Sequence, residues 1–302
     1  MRKILLTLAL GFSLTSLAQV FNVGQIVKLD TPVDPTAKVV AISPQADYIL
    51  LSNDQNAGLT KFDLASKQTQ RITDAKGAGY KVLISPDGQD IVYRETSFNE
   101  RHLRYNALKS VNMANRSVQQ LVEPTRDLQG YAIEGATAAA VNKGKMSARS
   151  LKGGAAQATR PVLSISNRQL MITENGNTRV FSPSGTNHSY LWAQISPDGT
   201  KVVYFMAGNG AFVCDINGQN IKSIGILRAP QWVGNDVIVG MFDEDDGEFI
   251  YASKIVAANL DGVQQDLTDG SVVAMFPYSN AAGNKIAFST PAGEAYIINI
   301  NK

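Results

Sequence analysis

The chain has little of what most catalytic and metal sites are built from. It contains one cysteine, Cys214, and two histidines, His102 and His188. A single cysteine excludes an internal disulfide framework, and the alternating run around Cys214 predicts a buried thiol within a strand. No Cys/His cluster has the spacing of a zinc site, and neither a Gly-x-Ser-x-Gly elbow nor a phosphate-binding glycine loop is present. The sequence therefore offers no motif that argues for catalysis.

Long apolar runs and an excess of charge are also missing beyond the N terminus. Arg2 and Lys3 precede the apolar stretch 4–17, which is short for a membrane span, and small residues precede a cleavage site after Ala18. This pattern predicts a signal peptide over residues 1–18 and a periplasmic or secreted mature protein without a transmembrane segment. Losing the two basic residues leaves 26 basic and 26 acidic residues, so no nucleic-acid partner is expected.

What the chain does have is a repeated turn. Ser-Pro-Asp-Gly occurs at 85–88 and at 196–199, and a variant at 43–46 ends in Ala46. In such a turn proline presets φ, and glycine accepts the left-handed conformation that leads back into a strand. Each copy precedes a short apolar run rich in β-formers, so each turn joins two antiparallel strands. We expect positive φ at Gly88 and Gly199, and a looser turn at Ala46.

A second sequence marker recurs along the chain, inside a later strand of the repeat unit. An Asp or Asn lies inside an apolar strand at the five positions Asp63, Asn112, Asp215, Asn259 and Asn299. The step is 49 residues from the first to the second, 44 from the third to the fourth, and 40 to the last. Four short strands repeating every 40–50 residues are typical of β-propeller blades. The predicted fold class is therefore all-β, and the architecture is a propeller.

The number of blades depends on a poorly marked region. From Ser85 to Ser196 there are 111 residues, which hold two steps of about 55 or three of about 37. We favour the first, which gives six four-stranded blades, over the alternative of seven. One unit would begin near 130–133. An extra hairpin would then pair 170–173 with 178–181 through a strong Asn-Gly turn.

Closure of the ring is predicted from the two ends of the chain. The last unit ends after its third strand, at Ile300, which would leave a blade edge open. The stretch 23–29 alternates like a strand and precedes the first unit. We therefore expect it to supply the missing outer strand of the last blade, within a single propeller domain over residues 19–302.

These repeats resemble the WD40-like repeats of the TolB family. The likeness rests on the Ser-Pro-Asp-Gly turns, on the strand 284–289 (Asn-Lys-Ile-Ala-Phe-Ser) and on the ending Asp266-Leu267-Thr268. It covers about residues 20–302, with 125–190 matching poorly. The resemblance implies a TolB-like propeller in the cell envelope. TolB also carries an α/β domain before its propeller, whereas fewer than twenty residues separate the predicted cleavage site from the first unit, as in a short secreted form.

Two segments are candidate binding loops. The first, Asp243-Glu244-Asp245-Asp246-Gly247-Glu248, is expected between the second strand (237–241) and third strand (255–260) of the fifth of six blades. Its oxygens could bind Ca²⁺, with Asp243 and Asp245 as ligands, although the distal glutamate of a calcium loop is not at the expected spacing. The second, 95–104, contains Phe98, Arg101, His102 and Arg104. With six blades the two segments would face each other across the propeller mouth.

The predicted function is that of a non-enzymatic scaffold which binds a protein or peptide of the envelope at this mouth. Loops joining second to third strands vary in length here, and function concentrates on such loops. The alternative is a polysaccharide- or peptide-acting lyase or hydrolase whose carboxylates and arginines converge at the mouth. A deep pocket that gathers Arg101, His102, Asp243 and Asp245 would favour the enzyme, and a broad shallow mouth would favour the scaffold.

Overall fold

The computed structural model describes residues 19–32 and 34–301. In this part of the chain 26 β-strands form seven sheets, and no helix is long and apolar enough to cross a bilayer. The predicted signal peptide lies outside the described residues. The all-β prediction is confirmed.

The sheets follow one another along the chain as blades 1 to 7. The first strand, β1 (Asn22–Lys28), precedes blade 1. Blade 1 contains β2 (Ala37–Ile42), β3 (Tyr48–Asn53), β4 (Leu59–Asp63) and β5 (Thr69–Thr73). Blade 2 contains β6 (Leu83–Ile84), β7 (Asp90–Phe98), β8 (Arg104–Asn112) and β9 (Val118–Thr125). Blade 3 contains β10 (Leu128–Glu134), β11 (Thr137–Asn142) and β12 (Lys145–Ser150).

The remaining blades complete the chain. Blade 4 contains β13 (Val162–Ser166), β14 (Gln169–Glu174) and β15 (Asn177–Val180). Blade 5 contains β16 (Tyr190–Ile195), β17 (Lys201–Met206), β18 (Gly210–Asp215) and β19 (Lys222–Gly225). Blade 6 contains β20 (Arg228–Val233), β21 (Val237–Asp245), β22 (Ile250–Asn259) and β23 (Gln264–Asp266). Blade 7 contains β24 (Met275–Ser279), β25 (Lys285–Ser289) and β26 (Ala295–Asn301), and β1 pairs with it.

The core lies between neighbouring blades, and it shows that the ring is closed. Each hydrophobic cluster combines buried side chains from two consecutive blades. The closing cluster joins Ile49 and Phe62 of blade 1 to Ala287 and Ile297 of blade 7. Burying both faces of a blade explains why the strands read as short continuous apolar runs, such as 48–51 and 202–206.

Closure by the N-terminal strand is confirmed. β1 pairs antiparallel with β26, from Asn22 opposite Asn301 to Lys28 opposite Tyr296. The residues just before β1 also bind the preceding blade, because the side-chain oxygen of Gln265 accepts from the backbone N–H of Phe21 at 2.7 Å. The two ends of the chain therefore share one blade and leave it without an open edge on that side.

The preference for six blades was wrong, and the alternative of seven is correct. The predicted unit near 130–133 is β10, but the hairpin of β14 and β15 is not an insertion in the same blade. It pairs with β13 to form blade 4, with Leu163 opposite Ile172 and Ile172 opposite Arg179. The predicted Asn-Gly turn is present, with φ of 49° at Asn175 and 77° at Gly176. Blades 3 and 4 have three strands each, so three short units fit where two long ones were expected.

The two three-stranded blades occur as a pair for a topological reason. A blade with four strands begins and ends on the same face of the ring, whereas one with three strands ends on the opposite face. After blade 3, Thr159 and Arg160 contact Glu134 on the face of the first turns. After β13 the chain is on the other face, where the Arg168 carbonyl accepts from the Tyr190 N–H at the start of blade 5. The second short blade therefore restores the direction that blade 5 needs.

The repeated turns have the predicted conformation, with φ of 73° at Gly88 and 79° at Gly199. The serine hydroxyl of each turn donates to the aspartate two residues later at 2.5 Å. These hydrogen bonds lower the pKa of Asp87 and of Asp198 to about 2. The expected looser turn at Ala46 is not found, because Ala46 adopts φ of 54° and makes the same turn bond, from its N–H to Ser43, at 2.9 Å.

Candidate binding face

In the five four-stranded blades, the loops that join second to third strands lie on the same face as the connections to the neighbouring blades. Two backbone hydrogen bonds show this directly. The N–H of Thr96 in β7 donates to Lys76 in the connection from blade 1 to blade 2, at 2.7 Å. The N–H of Ala274, in the connection from blade 6 to blade 7, donates to Ser253 in β22 at 3.1 Å. We call this side the hairpin face and define it by the loops 54–58, 99–103, 207–209, 246–249 and 290–294.

Half of each candidate loop is strand. The predicted loop 95–104 shrinks to 99–103, because β7 and β8 pair along their full length from Asp90 to Phe98. The acidic segment was expected after a strand ending at residue 241, yet β21 runs to Asp245 and pairs with β22 up to Ile250. Long pairing extends both hairpins beyond β6 and β20, so each hairpin projects from the hairpin face as a two-stranded arm.

The arm of blade 2 ends in a cationic tip. The side-chain oxygen of Asn99 accepts from the N–H groups of Arg101 and Leu103, which fixes the tip backbone. Phe98 is 55% exposed, and the side chains of Arg101, His102 and Arg104 are also exposed. Neither Arg101 nor Arg104 forms an ion pair within the described residues. The tip therefore offers two arginines, a histidine and an aromatic ring to a partner.

The carboxylates at the base of the blade 6 arm are paired within the protein. Arg228 of β20 forms ion pairs with both Asp243 and Asp245, and its distance to the Asp245 carboxylate is 3.3 Å. The Asp243 carboxylate is 0% exposed. Burial raises its pKa although the Arg228 charge acts in the opposite direction. Both proposed calcium ligands thus already face a cation of the protein, and no group of three acidic, histidine or cysteine side chains in the described residues could hold a metal.

At the tip of the blade 6 arm, some carboxylates bind the backbone of the tip, whereas others have no partner within the protein. Asp246 accepts from the N–H groups of Glu248 and Phe249, and these bonds lower its pKa. Asp245 also accepts from the N–H of Gly247 at 3.0 Å. Glu244 and Glu248 are exposed, and neither makes a side-chain hydrogen bond or ion pair within the described residues. Among the described residues of this tip, these two are the exposed carboxylates without a partner inside the protein.

Exposed aromatic side chains surround the acidic tip. Phe249 is 66% exposed, and Phe242 and Tyr251 are also exposed. A cavity of about 280 Å³ lies beside them, lined among others by Phe242, Glu244 and Lys254. Large apolar side chains held at the surface are typical anchors of protein interfaces. Sequence reasoning missed them and Arg228, although the aromatic residues that flank the acidic run were a visible signal.

The two arms lie far apart on the ring. Blades 2 and 6 are separated by three steps in one direction and four in the other, so the arms stand on nearly opposite sides of the hairpin face. The prediction that they oppose each other across a six-bladed mouth is replaced by this arrangement. Arg101 and His102 are therefore not gathered with Asp243 and Asp245 in one pocket.

Comparisons with known proteins agree with the fold. No family model matches the chain, and no curated protein matches its sequence. Among solved structures, a protein assigned as TolB from Agrobacterium tumefaciens matches with a TM-score of 0.54 at 14% identity, over 88% of this chain and 90% of that one. A chain of a mitotic checkpoint complex matches with a TM-score of 0.60 at 8% identity, over 100% and 99%.

The looser matches include an enzyme. An oligogalacturonate lyase from Vibrio parahaemolyticus has a TM-score of 0.46 and 13% identity, over 86% of this chain and 76% of that one. Identities this low show the fold and not the activity. The resemblance to TolB is confirmed at that level: the chain has a TolB-like β-propeller fold.

Proposed function

We propose that this chain is an exported, non-enzymatic β-propeller that binds a protein or peptide of the periplasm or cell envelope through its hairpin face. The observation that carries the proposal is the pair of projecting arms. One presents exposed aromatics with two free carboxylates, and the other presents an aromatic ring with unpaired cations. Aromatic and arginine side chains are enriched in protein-binding surfaces, and polar groups surround them at the rim.

The arrangement of charges favours a scaffold over an enzyme. General acid–base or nucleophilic chemistry needs groups within hydrogen-bond reach of one reacting atom. Here the cationic tip and the acidic tip belong to blades three steps apart, and Asp243 is held by Arg228. A partner large enough to span both arms would contact both tips, which a small substrate does not.

The binding residues follow from exposure. We assign partner contacts to Phe98, Arg101, His102 and Arg104 on one arm, and to Glu244 and Glu248 on the other. Asp246 shapes the second tip through its backbone hydrogen bonds. A Ca²⁺ ion at Asp243 and Asp245 would have to displace Arg228, so a chelator should leave partner binding unchanged.

Affinity capture from the organism's own envelope extract tests the proposal. The baits are the wild-type chain from Gln19, a variant with Phe98→Ala and Phe249→Ala, and Val118→Ala as a matched control. Val118 is 58% exposed but begins the outer strand of blade 2, next to the third-to-fourth strand turn and away from the hairpin face. We expect one protein that is captured by the wild type and the control and lost with the double variant.

Loss of capture with all three baits, or equal capture by all three, would contradict a binding role for the hairpin face. Turnover of envelope polysaccharide or peptide by the purified chain would instead support the enzyme. Export is tested separately by mass spectrometry of the secreted chain, whose first residue should be Gln19.

A further inference from the structure

Blade 3 ends in an unpaired strand. β12 is the outer strand of a three-stranded sheet, bonded only to β11. The two-residue turn pairs Asn142 with Lys145, so Lys145, Ser147 and Arg149 direct their backbone groups to β11. The N–H and C=O groups of Met146, Ala148 and Ser150 consequently point outward. Only the Ser150 carbonyl has a partner among the described residues, the side chain of Gln119 at 3.3 Å.

The same molecule shows how such an edge is completed. In blade 7 the outer strand comes from β1, a segment more than 250 residues away in sequence, which adds to β26 by backbone pairing. Four-stranded blades are thus the complete form in this ring, and the fourth strand need not follow the third in the chain. β12 has six residues, enough for a short added strand.

The charge around this edge selects the partner. From residue 135 to residue 180 the chain has seven Lys and Arg residues and one carboxylate, Glu174, although the whole sequence has a net charge of only +2. Lys145 and Arg149 are exposed on one face of β12 and have no ion pair within the described residues. Like charges on two such edges repel each other, which disfavours pairing with a second copy of β12. The opposite face, with Met146 and Ala148, is half-buried.

We propose that the outward edge of β12 binds an extended segment of a partner protein in which carboxylate and apolar side chains alternate, as the fourth strand of blade 3. The carboxylates would lie beside Lys145 and Arg149, and the apolar side chains would continue the face of Met146 and Ala148. This rim site is distinct from the hairpin face and independent of its proposed function.

A labelled peptide of alternating Glu and Val, about eight residues long, is the probe, with its binding followed by fluorescence anisotropy. Ala148→Pro removes an outward N–H and leaves the bonds to β11 intact, so it should abolish binding without unfolding the blade. The double variant Lys145→Glu with Arg149→Glu should weaken binding about tenfold or more and should bind the matching Lys–Val peptide instead. A Glu–Val peptide that is N-methylated on alternate residues should not bind the wild type.

No binding of the Glu–Val peptide to the wild type would overturn the proposal. Equal binding of the N-methylated peptide would also overturn it, because a purely electrostatic contact needs no backbone bonds. A dimer in analytical ultracentrifugation that the peptide does not dissociate would show that a second copy occupies the edge. If the Ala148→Pro variant fails to fold, the charge-reversal variant and the N-methylated peptide still test the proposal. The variant with Phe98→Ala and Phe249→Ala should bind the peptide as the wild type does, which separates this site from the hairpin face.

Discussion

Blades 2 and 5 carry the same Ser-Pro-Asp-Gly turn between their first and second strands and have four strands, whereas blades 3 and 4 have neither that turn nor a fourth strand. Both kinds of blade bury a continuous core against their neighbours. The comparison indicates that the packing between blades, which both kinds share, holds this ring together. The fourth strand and the turn motif are additions to this shared packing, present in some blades and missing from others.

The largest test of this comparison is removal of the outer strand from blade 7. Deleting residues 19–30 takes away β1 and exposes the edge of β26 and part of the cluster around Val23. We expect the melting temperature to fall by about 10 °C or more, or folding to fail, because several kcal/mol of pairing and burial are lost. Differential scanning calorimetry of both chains measures this. An unchanged melting temperature would mean that blade 7 tolerates three strands as well as blades 3 and 4 do.

The next test concerns the ion pairs that connect blade 3, with three strands, to blade 2, with four. Lys152, just after blade 3, reaches two carboxylates of blade 2, at 3.1 Å from Asp87 and 2.6 Å from Asp90. The Asp90 side chain is only 2% exposed, so Lys152→Met would leave a buried charge with less compensation. We expect a loss of about 2 kcal/mol in urea unfolding. Lys152→Arg is the control and should retain most of the stability, whereas equal losses for both would show that the lysine acts by packing alone.

The turn motif itself is tested by its glycines. Gly88→Val and Gly199→Val place a β-branched residue at a φ of 73° and 79°. Each should cost about 1–2 kcal/mol, because the left-handed region is strained for any residue with a Cβ. Thermal unfolding of both variants measures the effect. A loss at one turn and none at the other would show that the two marked blades are not equivalent.

The aspartates of the same turns give a pH test. Their folded-state pKa values of about 2 lie below the ordinary value of 3.8. The stability they contribute is therefore fully present above about pH 4 and is lost as the pH falls toward 2. The double variant Asp87→Asn with Asp198→Asn should show a weaker dependence of the unfolding free energy on pH in this window. An unchanged pH profile would contradict a stabilising role for these hydrogen bonds.

The same elements show how much of the fold could be predicted from the sequence. The turns, the closing strand and the Asn-Gly hairpin were predicted because each depends on local chemistry: a fixed φ, an alternating run, a two-residue turn. The number of blades was not predicted correctly, because blades 3 and 4 lack both sequence markers. The missing fourth strand also makes each of these repeat units shorter. Pairing partners such as β13 with β14 are decided by packing between blades, which a single sequence does not display.

For the candidate site as well, local features were predicted from the sequence, whereas contacts between strands were not. The two arms were located correctly as segments between second and third strands, and their charges were read from the sequence. The pairing of Arg228 with Asp243 and Asp245 depends on β20 lying beside β21, which no spacing in the sequence indicates. The availability of Glu244 and Glu248 follows only after the other carboxylates have been assigned to Arg228 and to the backbone of the tip.

The smallest expected effect comes from the imperfect copy of the turn. Ala46 holds φ of 54°, in the region where Gly88 and Gly199 stand in the complete motifs. The methyl group makes this conformation costly, by roughly 1 kcal/mol, but alanine also restricts the unfolded chain more than glycine does, which offsets part of that cost. Ala46→Gly should therefore raise the unfolding free energy by about 0.5 kcal/mol. Its matched control, Gly88→Ala, should lower it by a similar or larger amount, since its Cβ would lie 3.1 Å from the Gln45 side-chain oxygen. Urea denaturation of both variants measures the pair. If Ala46→Gly destabilises the chain, the burial of the Ala46 methyl group outweighs backbone strain, and the first turn is then held by packing rather than by the chemistry of the motif.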